Sequence, residues 1–202
     1  MVAFPVTTLP NIPSDLSFQA AIEVTQQLLS HIDRPAAPGQ DDADNTISES
    51  VSAIVQQKPG ARGFFVAYLT GEHSALNPPH PAIVSGLQRW PDQSVDLLPK
   101  NLAMSTAMAV AHSREGNADM AQQSARVRSR TLDLMVALQL SAIPGELAQL
   151  RDSAHPANDA DGPYTPFLTR WGYDAEQRHH IYSAASEALA QLDMPPSQSD
   201  LP

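Results

Sequence analysis

Residues 97–140, LLPKNLAMSTAMAVAHSREGNADMAQQSARVRSRTLDLMVALQL, are the stretch around which the chain is organised. They read as a helical hairpin, Leu97–Leu140. Leu97-Leu98-Pro99 lead into a helix over Asn101–Ser113, Arg114-Glu115-Gly116-Asn117 break it, and a second helix covers Ala118–Leu140. At about 3.6 residues per turn, Leu98, Leu102 and Ala109 share one face of the first helix, while Met104, Ala107, Met108 and Ala111 lie opposite. A helix apolar on both sides is normally buried on both sides. Ser105, Thr106 and Ser113 can bond back to carbonyls of the preceding turn, so they do not forbid burial. Gly116 suits the left-handed residue that ends a helix, and Asn117 suits the N-cap of the next. The second helix carries one stripe, Met120, Ser124, Val127, Thr131, Leu134 and Leu138. Arg126 and Arg130 border it on one flank and Arg128 on the other.

Composition narrows the function classes. The 202 residues carry 12 Lys+Arg against 22 Asp+Glu, a formal charge of −10. Nucleic-acid affinity comes largely from neutralising phosphates with cations, so a nucleic-acid partner is not expected. The absence of cysteine removes disulfides, thiolate nucleophiles and cysteine metal sites. The N-terminus lacks a signal-peptide pattern, and no apolar run is long enough to span a membrane. The expectation is a cytoplasmic protein with no membrane partner.

Outward from the hairpin, helical patterning dominates. Residues 1–13 hold Pro5, Pro10 and Pro13 and read as an extended arm. Phe18, Ala21, Ile22, Thr25, Leu28, Leu29 and Ile32 form one side of an amphipathic helix, with Gln19, Glu23, Gln26 and Gln27 on the other. Residues 33–44 read as an open acidic linker. Thr46-Ile47-Ser48-Glu49 matches a capping box and predicts a helix that ends near Pro59-Gly60. Gly63–Leu69 fits a strand by composition and a short buried helix by its glycines. Helix is preferred, because a lone strand would leave its ladder groups unpaired. Pro81 suits the first turn of a short helix with Ile83, Val84, Leu87 and Trp90 inward, limited by Pro91. Pro144 starts another short helix, and residues 152–163 read as a second open segment. Phe167, Leu168 and Trp171 are expected to anchor a turn of helix on the core. Asp174 and Gln177 form a capping-box variant for a last helix, Ala175–Leu192, followed by a loose tail, 194–202. The expected architecture is an all-α single domain over residues 14–193, with about six to eight helices around the central hairpin.

Each candidate for chemistry has a plainer structural reading. Glu176-x-x-His179 has the spacing of half a di-iron carboxylate site, but periodicity puts it on a solvent-facing side. Glu72, His73 and His80 sit in one proline-rich region and offer carboxylate and imidazole ligands for zinc or iron. Asp159-x-Asp161-Gly162 resembles part of a calcium loop but lacks the first acid and the bidentate glutamate, so it reads as a turn. Arg126 and Arg130, one turn apart, are placed to clamp an anion or an acidic partner, whereas Arg128 diverges from each by about 200°. His112 lies on the side of its helix shared with Asn101, Ser105 and Met108. With Met104 and Met108 it offers a polar handle and pliable walls for a bound molecule. No catalytic constellation is complete and no cofactor is expected. The leading expectation is a non-enzymatic interaction or regulatory protein that binds a protein partner or itself as a homodimer. The alternative is a helical binding protein or enzyme whose internal apolar cavity holds a small molecule or metal.

Overall fold

The computed structural model describes residues 12–13, 15–33, 43–73, 76–155 and 162–194. The expected arm, linker and tail, the middle of the second open segment, and Asp159 with Asp161 lie largely outside them. The described residues form an all-α fold: α1 Phe18–Ile32, α2 Ala43–Val55, α3 Lys58–Thr70, α4 Pro81–Gln88, α5 Pro91–Arg114, α6 Ala118–Leu138, α7 Ile143–Ala154, α8 Thr165–Arg170 and α9 Ala175–Leu192. None of these helices is long and apolar enough to cross a membrane. The chain divides into two compact units between Ser94 and Val95.

In the first unit α1 packs on α3, and α2 packs on α4 and α3. Glycine sets these contacts. A Cβ on Gly63 would stand 2.5 Å from the Phe18 carbonyl oxygen and 2.6 Å from Ala21 Cβ, so only glycine lets α1 lie this close to α3. A Cβ on Gly86 of α4 would likewise stand 2.6 Å from the Ser48 carbonyl oxygen. The aromatic run beside Gly63 is therefore helical. Phe64, Phe65 and Tyr68 are buried, with the Phe64 and Tyr68 rings stacked at 5.6 Å. Each such side chain contributes about 2 kcal/mol of burial. Ser17 caps α1 by accepting from the Ala20 amide at 3.2 Å.

Two sequence expectations change here. The helix expected from the Thr46–Glu49 capping box starts earlier, at Ala43, and ends at Val55, because Pro59-Gly60 lie in the first turn of α3 instead of closing α2. Thr46 is therefore internal, and Glu49 accepts from the Asn45 side chain at 3.4 Å. Trp90, expected inward, is 37% exposed and donates from its indole to Ser52 Oγ at 3.0 Å, because α4 ends two residues before it.

In the second unit α7 packs on α9 and α8, and α6 on α9. Ala103 and Ala107 of α5 join Leu150, Ala154, Leu168, Ile181 and Ala185 in one core cluster. Helix α5 begins at Pro91 and runs through Pro99, well before the expected start at Asn101. Proline removes one ladder donor, yet the helix continues, with Leu98 and Leu102 buried and Asp96 paired to Lys100 one turn on. Ser105 and Thr106 bond back to the Asn101 and Leu102 carbonyls at 2.7 Å, which is why buried hydroxyls are tolerated there.

The expectation of burial on both sides holds only as far as Ala107. From Met108 to Ser129 no residue is fully buried, although Ala109–His112, Ala121, Ser124 and Val127 stay half-buried. Gly116 is left-handed, at φ 72°, and Asn117 caps α6 through the Met120 amide at 3.2 Å. Helix α6 stops at Leu138, short of Leu140, because Gln139 turns left-handed at φ 49°. Trp171, expected as an anchor, is 53% exposed; Leu168 is the buried anchor of α8. The α9 capping box forms as expected, with Gln177 N donating to Asp174 Oδ1 at 2.9 Å and Asp174 N donating to Gln177 Oε1 at 3.1 Å.

Candidate functional site

The residues singled out from the sequence do not all come together. His73 leaves the Glu72/His80 group for α1: its Nδ1 stands 2.6 Å from Asp33 Oδ2. A carboxylate only accepts, so the imidazole carries its proton on Nδ1. His80 has the opposite arrangement. Its Nδ1 accepts from the Ala82 amide at 3.3 Å as the N-cap of α4, and its Nε2 lies 3.9 Å from Asp44. Glu72 is exposed. Among the described residues no three histidine, aspartate or glutamate side chains converge on one metal position.

In the second unit Met104 packs partly buried against the core cluster, whereas Met108 is 41% exposed. The His112 side chain is mostly buried; its Nδ1 has no hydrogen-bond partner among the described residues and stands 3.8 Å from Glu115 Oε2. Arg126 is exposed and Arg130 is buried, so the two do not form one surface clamp.

Glu176 of the Glu176-x-x-His179 motif has a structural partner. Arg114, at the end of α5, pairs with both Asp174 and Glu176 at the start of α9, with Nε donating to Glu176 Oε2 at 3.0 Å. The guanidinium, with the Gln177 amide, holds the Asp174 carboxyl at about 2. The two acids in turn raise the guanidinium above its usual range. Gln177 Nε2 donates to the Ala107 carbonyl at 3.1 Å, so the α9 N-terminus grips α5 through neutral and charged bonds together. Within the core cluster, the Tyr164 hydroxyl donates to Glu146 Oε2 at 2.7 Å and the Tyr164 amide donates to Ser153 Oγ at 3.2 Å. Burial, and then the carboxylate, push this phenol well above the ordinary tyrosine range, and burial raises Tyr173 to about 12.

An open groove of about 290 Å³ lies where α6, α7 and α9 meet. Its apolar walls are Val136, Leu140, Pro144, Leu192 and Met194. Its polar groups are Gln139, Ser141 and Gln191. Sequence reasoning missed this feature, since it depends on α6 ending at Leu138. The only signal was the change of pattern at Gln139-Leu140-Ser141 before Pro144.

No curated protein and no solved structure matches the chain. A family model matches residues 17–188, from the N-cap of α1 into the last turns of α9. The chain belongs to the family described as uncharacterised conserved protein UCP020893.

Proposed function

We propose that the chain is a non-enzymatic interaction or regulatory protein that binds a protein partner, a second copy of itself included, through the C-terminal end of α5 and the N-terminal end of α6. One observation carries this reading: the run from Met108 to Ser129 has no fully buried residue, although it continues the apolar patterning of two long helices. Met108 is 41% and Met120 39% exposed. Exposed apolar side chains at the ends of two consecutive helices are a surface that a partner can cover.

The test compares the wild-type chain with Met108→Glu/Met120→Glu in sedimentation and in affinity capture from native extract. The reading expects self-association or a reproducible partner that the double variant loses. A wild-type monomer without a partner, or a partner held equally by the variant, overturns it.

A further inference from the structure

We propose that the groove between the ends of α6 and α9 binds a small uncharged molecule with an apolar body and one amide or hydroxyl group. Val136 and Met194 leave 40% and 69% of their surface in water at the groove, so an apolar occupant is favoured by the water it displaces. Among the described residues no charged side chain lines it, in a chain with 34 charged residues, 12 basic and 22 acidic. An ion in such a site meets no countercharge to offset the hydration it loses, which disfavours carboxylates and ammonium groups as the recognised class.

Gln139, Ser141 and Gln191 offer donors and acceptors together, the set that matches another carboxamide or a hydroxyl. Gln139 holds a left-handed backbone at the α6 C-cap, a position that glycine fills without strain. Glycine there would relieve the backbone and remove the carboxamide from the groove. At about 30 Å³ per water, the volume corresponds to about ten waters, which sets the ligand near ten non-hydrogen atoms.

Hexanamide, hexanoate and hexylammonium serve as probes, read by amide NMR shifts of the full chain. Hexanamide is expected to give saturable shifts at residues 136–144 and 191–194, with affinity in about the millimolar range for so few atoms. The two ions should bind at least about tenfold more weakly, the cost of an unpaired charge. Val136→Trp, which fills the groove from a half-exposed position, should abolish the shifts. Gln139→Gly should weaken hexanamide about fivefold, the worth of one hydrogen bond. The proposal is overturned by unsaturable or scattered shifts, by equal binding of the ions, or by binding that survives Val136→Trp. It is also overturned if the groove seats a second copy, seen as self-association that Val136→Trp removes. Met108→Glu/Met120→Glu leaves hexanamide binding unchanged, which separates this site from the α5–α6 surface.

Discussion

Replacing Gly63 by alanine sets two effects of known size against each other. The new methyl would lie 2.5 Å from the Phe18 carbonyl oxygen and 2.6 Å from Ala21 Cβ. The oxygen is backbone and the carbon is fixed to it, so no side-chain rotation gives relief and α1 must move off α3. Alanine is the better helix former by about 1 kcal/mol. Overpacking costs about 1–3 kcal/mol, and contacts this short against backbone belong at the upper end. The net expectation is a loss of about 1–2 kcal/mol.

Gly145 is the control: it lies in the first turn of α7 with nothing within 4 Å of an added Cβ, so Gly145→Ala receives only the propensity gain, about 0.5 kcal/mol. Urea unfolding followed by far-UV circular dichroism reads both. With a slope of about 2 kcal/mol per molar, Gly63→Ala should lower the midpoint by about 0.5–1 M and Gly145→Ala should raise it slightly. A Gly63→Ala midpoint equal to or above wild type would refute the close approach of α1 and α3.

Arg114→Ala should return the Asp174 carboxyl from about 2 towards its ordinary value of 3.8, measured by NMR titration. A depressed carboxyl contributes stability that is present above the unfolded value and lost as pH falls through the folded one. The variant should therefore unfold at higher pH on the acid side. At the alkaline end the sign reverses: Tyr164 and Tyr173 are raised, so their contribution is intact below about 10 and lost as pH climbs through their folded values. Tyr164 and Tyr173 should ionise late by ultraviolet absorbance, and stability should fall above pH of about 10, less steeply in Tyr173→Phe. Asn117→Ala removes the α6 N-cap and should cost about 1 kcal/mol by chemical unfolding, with α5 helicity unchanged.

Local chemistry makes most of the helices legible in the sequence. Asn117 as cap, Gly116 as left-handed terminator and Asp174 with Gln177 as a capping box all act within four residues, so sequence spacing fixes them. The Thr46–Glu49 box failed for an equally local reason: the preceding Ala43-Asp44-Asn45 extended the helix past it. The candidate sites were less legible. Which acid a histidine meets, Asp33 for His73 across forty residues, depends on α1 and α3 ending together. Whether Met108 is core or surface depends on where its cover stops, and an apolar periodicity looks the same in both cases.

The sequence by itself determined an all-α chain, its turns and caps, and the absence of cysteine chemistry, because each follows from residue type and short spacing. Tertiary structure alone decided the continuation of α5 through Pro99, the close α1–α3 contact at Gly63, the Arg114 grip on α9 and the groove at Gln139. The last three join residues far apart in sequence, and their energies come from packing and desolvation that no single segment contains.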